Sequence, residues 1–213
     1  DCLVGIAEVG TGTGACNDGL DADDDLAIDA DDSGCSSATD PFEGAAVGDL
    51  VITEFLQNPS AVDDAFGEFV EIYNASPDDI DLSGYVLSDD GSDTHTIVGP
   101  AVVGSETWFV LGIDADVPNN GGLLVDYDYD SFVMTNNVDE IVLTDPGGLE
   151  LVRIDYDEAD WPDGNGASAQ LSGGLLTYPE SLDPLNWCLA TQAWPDGDGD
   201  LGSPGAANEA CSN

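Results

Sequence analysis

Residues 49–74, DLVITEFLQNPSAVDDAFGEFVEIYN, constrain the fold more than any other stretch of the chain. Two β-rich runs, 49–57 and 67–74, flank a loop that holds Asn58, Pro59, Asp63 and Asp64. The first run is dense in Leu, Val, Ile, Thr and Phe. In the second, Val70 and Ile72 alternate with Phe69, Glu71 and Tyr73. Period-2 spacing with β-branched and aromatic residues, bounded by turn residues, predicts paired strands. Each run also carries a carboxylate among apolar neighbours, Glu54 and Glu71. A carboxylate buried there without a partner is costly. The two are therefore expected either on the solvent side of the sheet or paired with Arg153 or a cation.

Further strand patterns follow: Leu82–Leu87, then 94–98, 106–113, 122–127, 139–145, 150–157, 167–172 and 186–191. Turn residues separate them, among them Asp90-Gly91, Pro146-Gly147-Gly148 and Gly173-Gly174. Many short strands, frequent turns and no helical periodicity predict an all-β, immunoglobulin-like β-sandwich. The sandwich is expected over 49–207, with a short tail at 208–213. An apolar and Thr-Gly segment (1–15), an Asp-rich stretch (16–35) and a small-residue linker (36–48) precede it.

Charge narrows the partners. The chain has 45 acidic residues against a single Arg and no Lys, for a net charge of -44. Phosphate backbones need cationic partners, so nucleic acid is excluded as a partner. Anionic membrane surfaces repel such a chain, and no apolar run is long enough to span a bilayer. Self-repulsion at this density opposes compaction unless cations screen or bind it. The expected partners are cations, with Ca²⁺ first and a high-salt medium as the alternative.

Residues 16–35, CNDGLDADDDLAIDADDSGC, supply a place for calcium. Asp21, Asp23, Asp25, Asp29 and Asp32 fall at alternate and then wider spacings, as calcium-loop ligands do, with Ile28 at the usual hydrophobic position. Asp18 is a further candidate ligand. Leu26 stands where an EF-hand has Gly, and no helical flanks are present, so an EF-hand is not expected. Asp196, Asp198 and Asp200, spaced by glycines, form a second candidate calcium loop with nothing acidic at its twelfth position. Cys16 and Cys35 bracket the first loop, and Cys188 and Cys211 flank the second; proximity pairs each set as a disulfide. Cys2 is left over for an intersubunit bond. Cysteines of this kind imply an oxidising compartment, and Asp1 is expected to be the mature end of an exported chain.

Two resemblances sharpen this reading. The run Cys16, Asp18, Gly19, Asp21, Asp23, Asp25, Asp29, Asp32, Cys35 resembles the Cys-bracketed, Asp-rich metal-binding repeats of bacterial surface proteins. It is more distantly similar to thrombospondin type 3 calcium repeats. It departs from the former at Ala22 and Leu26. Separately, I-T-E-F-x-x-N-P (52–59), G-E-F-V-E-I-Y-N (67–74), I-D-L-S-G-Y-x-L-S-D (80–89), N-N-V-D-E-I-V-L-T-D (136–145), N-W-C (186–188) and G-S-P-G-A-A-N (202–208) together resemble a lamin tail domain. That resemblance implies an immunoglobulin-like interaction or anchoring module of a secreted or cell-surface protein, and no enzyme.

The residues give little reason to expect catalysis. The chain has one His, His95, in an exposed-looking segment with no nucleophile elbow. It has no phosphate-binding loop, dinucleotide fingerprint or HExxH. Carboxylates are too abundant for any pair to be diagnostic. Arg153 is expected to make a structural ion pair, with an intersubunit contact as the alternative. The four tryptophans are expected to be core and turn anchors, although Trp161 and Trp194 precede Pro-Asp-Gly loops that could bind a ligand. The function expected is an exported, non-catalytic, calcium-stabilised protein that self-assembles into an extracellular polymer or filament. In that assembly the apolar Leu3–Val9 run adds to a neighbour's open sheet edge. The alternative is a monomeric calcium-dependent adhesion or polysaccharide-binding module.

Overall fold

The computed structural model describes residues 15–20, 28–31, 35, 38 and 44–212. The strand patterns condense into β1 (Leu50–Leu56), β2 (Phe69–Asn74), β3 (Ile80–Asp81), β4 (Val86–Ser88), β5 (Thr94–Thr96), β6 (Val102–Val103), β7 (Trp108–Gly112), β8 (Tyr127–Asp128), β9 (Val138–Thr144), β10 (Glu150–Asp157), β11 (Ala169–Leu171) and β12 (Trp187–Leu189). Two single-turn helices, α1 (Asp64–Gly67) and α2 (Tyr178–Ser181), sit in connections. One sheet has the order β12-β11-β1-β2-β7-β8 and a second has β10-β9-β4-β5; β3 and β6 form a small third pair. Pairing is antiparallel except between β7 and β8. This is an all-β, immunoglobulin-like sandwich.

Alternation along the strands builds the main core. Phe55, Val70, Ile72 and Leu111 from the six-stranded sheet share one buried cluster with Leu87, Ile141, Leu143, Val152 and Ile154 from the four-stranded sheet. Phe55 lies at an aromatic junction, its ring 5.0 Å from Tyr156 and 5.6 Å from Trp187. Burying each such side chain contributes about 1.5–3 kcal/mol.

The six-stranded sheet is covered on its other face as well. Leu56, Phe69, Val110, Leu123 and Trp194 form a second cluster there, and Trp194 meets Phe69 edge-on at 6.1 Å. Every residue of β1 and of β2 is consequently buried. In a sandwich open to water on its outer faces, half of them would be exposed.

The structure departs from the sequence expectation in three places. Residues 122–126 are not strand: Gly121 and Gly122 take positive φ (78° and 84°), and the Asn120 amide holds the turn through the carbonyls of Asp114 and Leu123. Only Tyr127–Asp128 then reaches β7. The two-residue strands β3 and β6 were not predicted, because two residues cannot display a period. Glu54 and Glu71, expected on the solvent side of the sheet or paired with Arg153 or a cation, are not on the solvent side: both are completely buried, and Arg153 is bound elsewhere.

Candidate functional site

The buried glutamates face each other across β1 and β2. A register shift between Ile52 and Glu54 makes Thr53 an extra residue and sets Glu54 opposite Glu71. Such a bulge re-aims side chains locally. Thr53 Oγ1 donates to Glu71 Oε1 at 2.6 Å. Glu71 Oε2 accepts from the Gly205 amide at 2.7 Å and is also bonded by the Ala206 amide. Glu54 Oε1 is bonded to Ser168 Oγ and accepts from the Ser203 amide at 2.9 Å. Glu54 Oε2 lies 3.2 Å from Ser203 Oγ. The segment 202–208 thus lies as a strap across the outer face of the sheet. A Cβ at Gly202 would stand 2.6 Å from Glu54 Oε1, so only glycine allows the strap this close. Asn208 anchors the strap's far end, its amide donating to the carbonyls of Thr53 (2.7 Å) and Leu171 (3.0 Å).

Burial pushes Glu54 up to about 7, against the pull of its Ser168 and Ser203 hydrogen bonds. Burial, with the charge of Glu54 added, raises Glu71 well above the carboxylate range. Glu68, buried just before β2, is pushed up to about 8, chiefly by burial and then by the charges of Asp64, Asp139 and Asp93; the Met134 amide opposes this. Glu68 Oε1 and the Tyr129 hydroxyl have no hydrogen-bond partner among the described residues.

The Asp-rich ends are arranged differently. The Cys16–Cys35 and Cys188–Cys211 disulfides are both formed. Within the first loop, Asp29 is buried with φ 51°, and its Oδ1 accepts from the Gly19 amide at 3.1 Å. Asp18 Oδ1 accepts from the Leu20 amide at 2.9 Å. Asp21, Asp23, Asp25, Asp32 and Cys2 lie outside the described residues. In the second loop, Asp196 and Asp198 are exposed and Asp200 is buried. The Asp200 carboxylate accepts from the Ser60 hydroxyl at 2.6 Å and from the Ser60 and Ala61 amides, so it clamps the loop after β1. Among the described residues, no three His, Cys, Asp or Glu side chains converge as a metal cluster.

Arg153 gathers Asp90 (2.8 Å), Glu150 (3.0 Å) and Asp155 (2.9 Å) at the surface. His95, expected to be exposed, has a side chain only 12 % accessible and is held between Asp130 (3.2 Å) and the Tyr127 hydroxyl (2.9 Å). Beside β10, at the edge of the four-stranded sheet, runs a groove of about 360 Å³ lined by Arg153, Ile154, Asp155, Trp161, Tyr178, Leu182 and Pro184. The Tyr178 hydroxyl bonds the Arg153 amide there, so a side chain rather than a strand meets the edge.

Comparison with known protein families finds a match to the Lamin Tail Domain over residues 43–158, more than half of the chain. The chain belongs to the lamin tail domain family. A search of curated proteins finds no match. The lamin tail domain is a non-enzymatic, immunoglobulin-like structural domain. In this one, β11 and β12 lie beyond the matched residues yet belong to the six-stranded sheet. The two disulfides fit an oxidising environment, and no helix among the described residues is long and apolar enough to cross a membrane.

The stretches that carry the resemblance meet in space. I-T-E-F brings Glu54, G-E-F-V-E-I-Y-N brings Glu71, and G-S-P-G-A-A-N brings Ser203, Gly205, Ala206 and Asn208. Sequence reasoning singled out the glutamates without finding their partners. Ser168 and Ser203 are separated from Glu54 by more than a hundred residues, and no local pattern marks them. Trp194, weighed as a ligand platform, is buried in the outer cluster, whereas Trp161 does line the groove.

Proposed function

We propose that this lamin tail domain is a non-catalytic structural and interaction module of an exported protein, that it assembles with copies of itself outside the cell, and that calcium held by its Asp-rich N-terminal loop stiffens it. The observation that carries this reading is the groove along β10. An eight-residue edge strand lies there, bordered by Trp161, Tyr178 and Leu182, and a segment pairing with it would displace the Tyr178 hydroxyl from the Arg153 amide. Extended segments add to such edges through main-chain hydrogen bonds. The occupant is residues 3–9 of a second copy, LVGIAEV, which are apolar apart from Glu8. Calcium removes the repulsion that a net charge of -44 sets against association.

Sedimentation velocity in excess Ca²⁺, and again after chelation at equal ionic strength, tests the reading. Large assemblies are expected with calcium, and chelation is expected to dissolve them. A chain lacking residues 1–9 is expected to stay monomeric in both. A full-length monomer under both conditions would end the self-assembly reading. A second reading rests on the same groove, whose Trp161 and Tyr178 rings and Arg153 and Asp155 polar groups could receive a sugar. Glycan binding that is lost in Trp161→Ala, by a chain that stays monomeric, would favour it.

A further inference from the structure

Hydrogen-bond accounting at the strap leads beyond assembly. Both amide hydrogens of Asn208 are used on the Thr53 and Leu171 carbonyls, which fixes Oδ1 as the atom facing Ser203. Ser203 Oγ lies 2.6 Å from that Oδ1, and only the serine hydroxyl can supply the hydrogen between them. A hydroxyl has one hydrogen. With that hydrogen spent, Glu54 Oε2 accepts from the Ser203 amide at 3.2 Å, as Oε1 does at 2.9 Å. Glu71 likewise meets the Thr53 hydroxyl and the amides of Gly205 and Ala206, so neither carboxyl is bonded to a cationic side chain.

The surroundings agree. The elements packed around the pair bring no cation. β11 and the strap contribute Ser168, Ser203 and Asn208 and no ionisable side chain. Asp126 is bonded to the Val110 amide at β7, Asp200 to Ser60 and Ala61, Glu209 to Thr191, and Glu180 of α2 to Thr177. β10, across the core, carries Arg153 with Glu150 and Asp155 already bound to it, together with Asp157 and Tyr156. His95 is held by Asp130 and Tyr127. Two ionised carboxylates in a buried site without a cation repel strongly.

We propose that the facing carboxyls of Glu54 and Glu71 hold a proton between them, and that this proton is a pH latch holding the strap 202–208 on the outer face of the six-stranded sheet. When that proton leaves, Glu54 and Glu71 are both charged, they repel, and the strap lifts from Glu54, Glu71 and the neighbouring apolar cluster.

Hydrogen exchange at the Ser203, Gly205 and Ala206 amides, corrected for the intrinsic pH dependence of exchange, reads the latch. The closed site raises both glutamates above the ordinary value of 4.5, Glu54 to about 7, and opening returns them to it. Protection is expected to fall at least about tenfold per pH unit between about 4.5 and about 7. In Glu54→Gln one of the two facing charges is gone at every pH, and the fall in protection is expected to be shallower than in the parent. Protection in the unmodified chain that ignores pH, or a Glu54→Gln slope as steep as the parent's, would overturn the proposal. Should the variant fail to fold, the carboxyl ¹³C signals of Glu54 and Glu71 in the unmodified chain decide. At least one protonated shift is expected to persist until the pH approaches about 7, and two ionised shifts at about pH 5.5 would overturn the latch.

Discussion

Around Arg153, three carboxylates gather at the surface about one cation; at Glu54 and Glu71, two carboxyl groups meet in the interior with none. The surface cluster uses opposite charge in a medium that screens it. The interior pair uses directed N–H and O–H donors from the strap, Ser168 and Thr53, and burial raises its pKa values. A chain with one Arg cannot neutralise its carboxylates by ion pairing. Among the described residues it leaves most of them at the surface and holds the buried Glu54 and Glu71 with hydrogen bonds.

Raising the pH tests this contrast most severely. Glu54 and Glu68 are raised to about 7 and about 8 in the folded protein from 4.5. Their contribution to stability is fully present below about 4.5 and is lost as the pH rises through those values. Each proton held only by the folded state changes stability by about 1.4 kcal/mol per pH unit. Urea midpoints at fixed ionic strength are expected to fall between about pH 5 and about pH 9; midpoints that rise would break the comparison.

Removing the Cys188–Cys211 disulfide with Cys188→Ser and Cys211→Ser separates the covalent hold on the strap from the proton hold. A loss of about 3 kcal/mol is expected, similar at both ends of that pH range, from guanidinium titrations. A loss that appears only at high pH would mean the two holds are not independent. Asp200→Ala strips the Ser60 and Ala61 donors of their acceptor. Thermal unfolding is expected to report a cost of about 1–3 kcal/mol, which excess calcium should not restore. The smallest effect belongs to Arg153→Gln. Its midpoint shift is expected to be slight in dilute buffer and absent at high salt; a large, salt-resistant shift would place the surface cluster with the interior pair.

Much of the fold was legible because the alternation of Val70 and Ile72 with Phe69, Glu71 and Tyr73 is a local signal, as are the turns between runs. The second hydrophobic layer was not legible. Trp194 and Leu123 lie in loops, and nothing in their own neighbourhoods announces that they cover a sheet face. The same limit hid the partners of Glu54. Its position among apolar residues left a solvent-facing placement, Arg153 or a cation as ways to accommodate it. Within the chain its partners are serines and backbone amides brought in by long-range topology. Asp200 shows the reverse case: its spacing with Asp196 and Asp198 reads as a ligand series, yet the folded chain uses it as an acceptor for the loop after β1.

The Cys188–Cys211 bond makes the chain between those residues a closed ring that contains Trp194, Asp200 and the whole strap. Lifting the strap therefore produces a tethered flap, never a loose tail, and its return is an encounter within one molecule. A protease that cuts the lifted flap once releases no fragment, since both new ends stay bound to the body. The strap can be exposed repeatedly in a protease-rich setting, and one cut leaves its pieces in place to settle back.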